Sequence, residues 1–284
     1  MSKYKLLDCG NQKKLEQLGD YKVIRPCPQA MWEPSDLALW EGADSEYVQT
    51  TGESGQWKNL KPDPAMKRNK AGSGLEDSWL VESPDGLTWE IEPNEYGNIG
   101  VFTEHWMYGP ALGDEFKKGG KILNLFTYSG SSCVSLADQG FKITAVDSSK
   151  AAMDRYTYNL ELNGIKREGQ KLVLEDAFKF VSREVRRGAI YDGIMVDAPS
   201  YGRGTKGEVF KIEEDLVKML QACDQLLSKS GLMVITLHSP RFTPAILQIM
   251  MSKLFPTRKV TTSEIVPTCE SGVGLPSGFL VKVQ

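Results

Sequence analysis

The chain has 284 residues, of which 40% are hydrophobic and 25% are charged, so it is long enough for one large α/β domain, alone or with a smaller one. Its formal net charge of −3 argues against a generally basic surface for nucleic acid, although a local basic patch remains compatible with it. The sequence shows neither an apolar run of the ~18–20 residues that a membrane helix needs nor a secretory signal, and its five cysteines form no C-x-x-C pair. We therefore expect a cytoplasmic protein with no membrane partner, no disulfide framework and no metal site.

Residues 1–115 are predicted to form a small β-rich domain, a candidate for substrate recognition. Residues 21–25 predict a strand, and residues 79–92 predict two strands around a Pro-Asp-Gly turn. Residues 99–104 predict a further strand. Residues 56–74 hold five Lys or Arg against one Asp, with Pro and Gly among them, which favours an exposed loop.

From residue 116 to residue 284, strand-like segments alternate with helix-like ones. The predicted strands are 121–126, 142–147, 171–175, 191–197, 231–238, 258–266 and 278–283. The predicted helices are 130–140, 149–163, 176–187, 212–228 and 243–254. The last two strands have no helix between them and should pair as an antiparallel hairpin. The pattern predicts an α/β fold with a seven-stranded, mainly parallel, doubly wound sheet that ends in this hairpin.

The first two of these strands and the helix between them form a β-α-β unit, Lys121–Asp147, with an acid at its end. Asp147 follows Gly130 at close to the spacing of about 20 residues at which an acid binds ribose hydroxyls in nucleotide-binding α/β folds. A carboxylate suits that task because it accepts hydrogen bonds and donates none. The alternative is a surface Asp that caps the helix beginning near Ser149.

The turn inside this unit, Asn124–Gly130, holds a single glycine. A pyrophosphate cradle needs further glycines so that the backbone can approach two phosphates, and their absence favours a nucleoside ligand without phosphate. The polar residues of the turn are candidates for binding a zwitterionic ligand group: Asn124, Thr127, Tyr128 and Ser129. The alternative is an ordinary turn with a helix cap.

Asp176 and Ala177 follow the third strand, at the carboxyl edge where α/β sheets bind ligands. Asp176 could accept a hydrogen bond from an adenine amino group, with the Ala177 N–H facing the ring. The same Asp also suits the N-cap of the next helix, and the two roles are compatible.

The fourth strand runs into Asp197-Ala-Pro-Ser-Tyr201, which we expect to form a rigid polar tip. Pro199 fixes the chain, so that neighbouring carbonyls could accept from a substrate amine, and the Tyr201 ring could stack on a base. The alternative is a strand exit with a turn-forming proline. The next segment, 202–207, is glycine-rich and basic and could contact a phosphate backbone.

The chain contains two histidines. His238 ends the fifth strand, where it could act as a base or contact the substrate. A structural histidine that is merely hydrogen-bonded at a strand end is an equal alternative. His105 precedes the region of alternating strands and helices and could face the same edge of the sheet.

Together these segments resemble class I S-adenosylmethionine-dependent methyltransferases, most closely the bacterial group that contains large-subunit ribosomal RNA cytosine-C5 methyltransferases. The stretches that carry the resemblance are GVFTEHW, ILNLFTYSGSSCVSLADQG, ITAVDSSKAAMDRYTYNLELNG, LEDAFKF, YDGIMVDAPSYGRG and LLSKSGLMVITLHSP, within residues 95–284. The resemblance implies a seven-stranded sheet with S-adenosylmethionine across its strand ends and RNA as a partner. It leaves a homodimer open.

The same resemblance assigns site residues. Those expected to bind the cofactor are Glu104, Asn124, Phe126, Thr127, Tyr128, Ser129, Gly130, Asp147, Ser148, Ser149, Asp176, Ala177 and Asp197. Those expected to act on the methyl acceptor are Asp197, Pro199, Ser200, Tyr201 and His238. Within the first set, the turn after the first strand would hold the methionine group, Asp147 the ribose and Asp176 the adenine.

The sequence departs from that group at the cysteine that C5 chemistry needs, a thiolate that adds to C6 of the pyrimidine. The loops after the fourth and fifth strands read DAPSYG and LHSP, while Cys223 falls in a predicted helix and Cys269 in the hairpin segment. Group members also commonly carry an N-terminal RNA-binding module, which residues 1–115 do not show. The leading interpretation is a methyltransferase that acts on a base nitrogen, in RNA. The alternatives are a small-molecule or protein methyltransferase and a non-catalytic cofactor-binding or RNA-binding module.

Overall fold

The computed structural model describes residues 3–51, 54–61, 75–203, 207, 209–239 and 241–284. The chain forms two compact units, and each is described by itself. The first consists of Met1–Glu104 with Val266–Pro276, and the second of His105–Ile265 with Ser277–Gln284. The boundary predicted after residue 115 lies one helix beyond the boundary observed after Glu104. The prediction also did not include the later segment Val266–Pro276, which belongs to the first unit.

The first unit is built from short, mostly antiparallel strands. Its elements are β1 (Tyr4–Gly10), β2 (Lys13–Leu18), β3 (Tyr21–Pro26), α1 (Leu37–Glu41), β4 (Ser45–Thr51), β5 (Ser54–Asn59), β6 (Trp79–Glu82) and β7 (Thr88–Ile91). Five strands form a sheet in the order β1-β2-β3-β4-β5, in which the β3–β4 pair is parallel. β6 and β7 form a separate hairpin, which confirms the hairpin predicted for residues 79–92.

Two expectations for this unit are wrong. Residues 99–104 form bends and turns and contain no strand. Residues 56–59, placed in an exposed loop, belong to β5, and the remainder of that predicted loop from residue 62 to 74 lies outside the described residues. Trp57 explains the second error, because it is buried opposite Tyr47 in the β4–β5 ladder with the two rings edge to face. Such a cross-strand aromatic pair outweighs a loop-like composition.

A buried ion pair joins β2 to β3. Glu16 has no exposed side-chain surface, and its carboxylate accepts hydrogen bonds from Arg25 Nε at 2.7 Å and Nη2 at 3.0 Å. Lys14 Nζ lies 3.2 Å from the same carboxylate. Burial by itself would raise the pKa of Glu16, but the neighbouring charges of Arg25 and Lys14 lower it to about 2. The carboxylate is therefore ionised, and it compensates a buried guanidinium.

The second unit alternates strands and helices, as predicted. Its elements are α2 (His105–Glu115), β8 (Lys121–Leu125), α3 (Val134–Asp138), β9 (Lys142–Asp147), α4 (Lys150–Leu162), β10 (Lys171–Leu174), α5 (Ala177–Arg187), β11 (Tyr191–Asp197), β12 (Tyr201–Arg203), β13 (Val209–Lys211), α6 (Ile212–Leu226), β14 (Leu227–Leu237), α7 (Pro244–Leu254), β15 (Val260–Glu264) and β16 (Phe279–Val283). Sequence analysis missed α2 and the β12–β13 ribbon. No helix within the described ranges is long and apolar enough to cross a membrane.

Seven strands of this unit form one sheet in the order β10-β9-β8-β11-β14-β16-β15. β16 runs antiparallel to β14 and β15, and the other neighbouring pairs are parallel. The predicted seven-stranded, mainly parallel sheet with a C-terminal antiparallel hairpin is confirmed. The chain steps outward from β8 to β10 and then returns to place β11 on the other side of β8. Open α/β sheets bind ligands at such a reversal, beyond the carboxyl ends of the strands.

The central strands lie in the main apolar core of this unit. Leu123 of β8 and Ile194 of β11 are fully buried, and Phe180 of α5 and Leu220 of α6 belong to the same cluster. Because strands covered by helices are apolar on both faces, they leave little room for ionisable groups along their length. The ionisable groups accordingly lie at or just beyond the ends of the strands: Asp147, Asp176, Asp197 and His238.

We expect Glu16→Ala to lower the free energy of unfolding by about 3–5 kcal/mol, since the substitution leaves the Arg25 guanidinium buried without its carboxylate. Glu82→Ala is the matched control, because the Lys3–Glu82 ion pair has a largely solvated lysine and should be worth no more than about 1 kcal/mol. Urea denaturation of the full chain, monitored by circular dichroism, measures both losses.

The same pair gives a pH dependence with a defined sign. The pKa of Glu16 is lowered in the folded chain from 4.5 to about 2, so its stabilising contribution is complete above pH 4.5 and is lost as the pH falls toward 2. The difference in stability between the unmodified chain and Glu16→Ala should therefore shrink over that window. A difference that stayed constant down to pH 2, or equal losses in the two variants, would contradict this account.

Candidate functional site

The turn after β8 holds its backbone in a strained conformation. Phe126 and Tyr128 have left-handed φ values of 59° and 49°, and Gly130 follows at 82°. A left-handed conformation costs a residue with a Cβ roughly 1–2 kcal/mol. Strain of this kind collects at binding and catalytic sites, where the surrounding structure maintains it.

Buried hydrogen bonds maintain this turn. The Thr127 hydroxyl accepts from the Val146 N–H at 3.0 Å, which ties the turn to β9. Asn124 Nδ2 donates to Ser132 Oγ at 3.0 Å, while Asn124 Oδ1 is buried and accepts no hydrogen bond from any described residue. Ser129 is buried as well. These side chains hold the turn in shape, and their direct contact with a ligand stays a prediction.

Asp147, at the end of β9, links two neighbouring turns. Its Oδ2 accepts from the Tyr128 N–H at 2.9 Å, and its Oδ1 accepts from the Ser149 N–H at 2.8 Å. The helix-capping alternative for Asp147 is wrong, because the Ser149 hydroxyl caps α4 by accepting from Ala152 N–H at 3.2 Å. Ser148 lies between them and is partly exposed. Each carboxylate oxygen of Asp147 keeps a lone pair for a ligand hydroxyl.

Asp176 lies just beyond β10, at the same edge as Asp147. The β9–β10 register places Leu174 opposite Asp147, so Asp176 follows that position by two residues. Its carboxylate accepts from the Lys179 N–H at 2.9 Å and caps α5, as predicted, while Ala177 begins the helix and is buried. A contact with adenine stays a prediction, and the cap leaves the other carboxylate oxygen for it.

A carboxylate lies between two imidazoles at the end of β11. Asp197 Oδ2 is 3.4 Å from His105 Nε2, and Asp197 Oδ1 is 3.5 Å from His238 Nε2. The Thr236 hydroxyl donates a short hydrogen bond to Asp197 Oδ1. Burial by itself would raise the pKa of Asp197, but His105, His238 and Thr236 lower it to about 2. Asp197 is therefore ionised at neutral pH.

The ends of β11 and β14 and the start of α2 position Asp197, His238 and His105 close together. The β11–β14 register puts Asp197 opposite Thr236, and His238 comes directly after the end of β14. His105 begins α2 and is buried, with 2% of its side chain exposed, against 33% for His238. His238 Nδ1 lies 3.0 Å from the carbonyl oxygen of Ser277. A carbonyl only accepts, so Nδ1 carries the proton and the ring is fixed in orientation.

The polypeptide after β11 forms a two-stranded ribbon. Pro199 leads into β12, which begins at Tyr201, and β12 pairs with β13. The Tyr201 side chain is 51% exposed. Phe210 of β13 packs against Phe126, with ring centroids 5.2 Å apart, and so connects the ribbon to the strained turn after β8. The predicted tip is thus a supported structure and not a free loop.

The remaining predicted positions are less informative. Ser200 is exposed, and its carbonyl accepts from the Ile212 N–H at 3.2 Å. Glu104 is the last residue of the first unit, so its predicted cofactor contact stays a prediction. Within the predicted basic segment 202–207, residues 204–206 lie outside the described residues.

Two groups that shape the site had no role in the sequence analysis. Thr236 lies inside an apolar strand and Ser277 in a glycine- and proline-rich segment, and no local motif distinguishes either. Only strand register brings Thr236 opposite Asp197. His105 was noted, yet nothing in its own segment indicates a buried position beside a carboxylate.

A family model described as S-adenosylmethionine-dependent methyltransferase matches residues 54–268. Ribosomal RNA large subunit methyltransferase K of Neisseria meningitidis is 30% identical over 166 residues, which are 58% of this chain and 46% of that protein. Ribosomal RNA large subunit methyltransferase K/L of Shewanella loihica is 29% identical over 165 residues, 57% of this chain and 23% of that protein. The chain therefore spans less than half the length of these curated relatives.

Solved structures extend the similarity to both units. A SAM-dependent methyltransferase from Agrobacterium tumefaciens is 30% identical with a TM-score of 0.88, over 100% of this chain and 91% of that one. The protein SMU.776, solved in complex with SAH, is 18% identical with a TM-score of 0.75, over 99% of this chain and 75% of that one. The second likeness shows a shared fold.

Substitution of Gly130, in the strained turn, should destabilise the fold more than substitution of Gly140, which lies outside it. A Cβ at Gly130 would lie 2.2 Å from Tyr156 Cδ2, whereas a Cβ at Gly140 would meet nothing within 4 Å, although both have φ above 80°. Gly140→Ala should cost roughly 1–2 kcal/mol of folding free energy from its left-handed conformation. Gly130→Ala should cost about 1–3 kcal/mol more from overpacking. Equal losses in urea denaturation would show that Tyr156 yields without cost.

Proposed function

Because the chain belongs to the S-adenosylmethionine-dependent methyltransferase family, we propose that it methylates a base in RNA. The observation that carries the proposal is the ionised Asp197 at the end of β11, beside the turn and the acids that would hold the cofactor. The names of the curated relatives support ribosomal RNA as the substrate class.

The residues at the carboxyl edge fit S-adenosylmethionine, which supplies an electrophilic methyl group when bound. Asp147 would hold the ribose hydroxyls through lone pairs that its bonds to the turns leave available. Asp176 would accept from the adenine amino group. The buried Asn124 Oδ1, which accepts nothing within the described chain, suits an ammonium or N–H donor of the methionine group.

Cysteine-based C5 methylation does not suit this chain. All five cysteines are free and buried. Burial raises the pKa of Cys133, Cys223 and Cys269 to about 12 in each case, so these thiols are protonated at neutral pH. A thiolate that adds to C6 of a pyrimidine is thus lacking in the described site, and we propose a base nitrogen as the acceptor.

Asp197 would act on that nitrogen mainly by position. Its charge favours a hydrogen bond from an acceptor N–H, which would orient the nitrogen toward the methyl group. The base would have to leave its stack to reach the strand end. Tyr201, with half of its side chain exposed, offers a ring on which the displaced base or a neighbour could stack.

A second candidate is methylation of a small molecule or a protein. The net charge of −3 favours it, because affinity for RNA rests largely on cationic contacts to phosphate. The two candidates differ in how binding responds to salt. Affinity for an RNA substrate should fall steeply between 50 and 200 mM salt, roughly as the count of phosphate contacts requires, whereas affinity for a neutral small molecule should not.

We expect Asp147→Ala to weaken binding of S-adenosylhomocysteine by roughly 10–100-fold, the loss of about 1.5–3 kcal/mol that hydrogen bonds to a charged group carry. Asp154→Ala is the control, since Asp154 lies exposed on α4 in an ion pair with Lys150. Isothermal titration calorimetry on the full chain measures both. Unchanged affinity in a folded Asp147→Ala chain would remove the ribose assignment.

A labelling experiment tests the acceptor. RNA from cells that lack this protein is incubated with the full chain and methyl-labelled S-adenosylmethionine, and the labelled nucleotide is mapped. We expect label on a base nitrogen, reduced on the order of 100-fold in Asp197→Asn through lost positioning, while that variant still binds S-adenosylhomocysteine. Label at C5 would contradict the acceptor assignment, and label confined to protein or small-molecule fractions would favour the second candidate.

A further inference from the structure

We propose that His105, Asp197 and His238 form a binding site for a divalent transition metal ion, and that Zn²⁺ fits it best. Among the described residues they form a three-residue group in which one potential ligand atom from each lies within 4.8 Å of the others. The proposal goes beyond methyl transfer and does not rest on which molecule accepts the methyl group. It differs from the expectation of no metal site, which rested on the spacing of cysteines.

The distances within the group suit a metal centre. His105 Nε2 and His238 Nε2 lie 3.4 and 3.5 Å from the two oxygens of Asp197. Tetrahedral Zn²⁺, with bonds of about 2.0–2.2 Å to nitrogen and oxygen, keeps neighbouring ligand atoms roughly 3.3–3.6 Å apart. Each imidazole nitrogen therefore lies at such a distance from one oxygen of Asp197, and one ligand atom from each of the three residues lies within 4.8 Å of the others.

The orientation of the His238 ring adds an independent argument. Its Nδ1 donates to the Ser277 carbonyl, so Nε2 is the ring nitrogen that faces Asp197 Oδ1. Nε2 is therefore the atom of this ring that is placed to bind a metal ion, and a proton on Nε2 is the alternative occupant of the same position.

Two neighbours act as supports of the kind that metal ligands have. A histidine that binds metal usually donates its other ring N–H to a carbonyl or carboxylate, and a ligating carboxylate is itself hydrogen-bonded. Ser277 performs the first task for His238, and Thr236 performs the second for Asp197. Strand register and the C-terminal hairpin therefore orient two of the three ligands before a metal arrives.

The ligand set selects the class of metal. Two imidazoles and one carboxylate suit zinc and neighbouring transition metals, whereas Mg²⁺ and Ca²⁺ prefer six or more oxygen ligands. Three protein ligands leave the fourth tetrahedral position for water or a ligand atom. The exposed third of the His238 side chain provides a route by which the ion could enter.

The test is titration of the metal-stripped full chain with Zn²⁺ against a competing chelator. We expect one Zn²⁺ ion to bind per chain, with an affinity that excess Mg²⁺ does not change. Binding should be abolished in His238→Gln and Asp197→Asn, and weakened about 10–100-fold in Thr236→Val, which removes only a support of the carboxylate. Two control variants should bind as the unmodified chain does: Asp192→Asn, on the same strand as Asp197, and Cys269→Ser, which tests the buried thiols.

Histidine NMR provides a readout that does not depend on the stability of the variants. Since the chain contains two histidines, both imidazole signals should shift together as Zn²⁺ reaches one equivalent. Three results would overturn the proposal: substoichiometric binding, equal affinity in His238→Gln, or loss of binding in Cys269→Ser. A His238 ring that is doubly protonated at neutral pH and does not respond to Zn²⁺ would also overturn it, because a proton would then occupy the position on Nε2 that faces Asp197.

Discussion

In the ladder between β11 and β14, Asp197 lies opposite Thr236 and receives its hydroxyl hydrogen bond. The parallel pairs β11–β8, β8–β9 and β9–β10 bring the carboxyl ends of those strands to the same edge. A shift of one residue would turn the Thr236 hydroxyl to the opposite face of the sheet. The position of every acid in the site therefore depends on a register that is set by the buried apolar strands.

That arrangement keeps the charge of Asp197 available despite its burial. Two imidazoles and a hydroxyl compensate a carboxylate that would otherwise be protonated more easily, and its pKa lies near 2. At the other side of the reversal in strand order, Asp147 accepts from backbone N–H groups in the turns after β8 and β9 and so connects these two turns. One edge of the sheet thus carries one acid anchored to two turns and a second acid held between two imidazoles.

The first unit shows the limits of local patterns. Its sheet needs β3 to pair in parallel with β4 after an intervening helix, and it needs Trp57 to meet Tyr47 across β4 and β5. Neither contact leaves a mark in the neighbouring sequence, where Pro, Gly and Lys favour a loop. The error at residues 99–104 has the reverse cause, since an apolar segment looks like a strand but pairs with no strand among the described residues.

The sequence by itself determined the α/β class, the seven strands and their closing hairpin, the turn after the first of these strands and the acids at the strand ends. It could do so because apolar periodicity and the order of strand, turn and helix are local properties of the chain. Only the tertiary structure decided that His105, His238 and Thr236 surround Asp197, and that Ser277 fixes one of the rings. These residues lie far apart in sequence, and only the register of parallel strands and the return of the C-terminal hairpin bring their side chains within bonding distance.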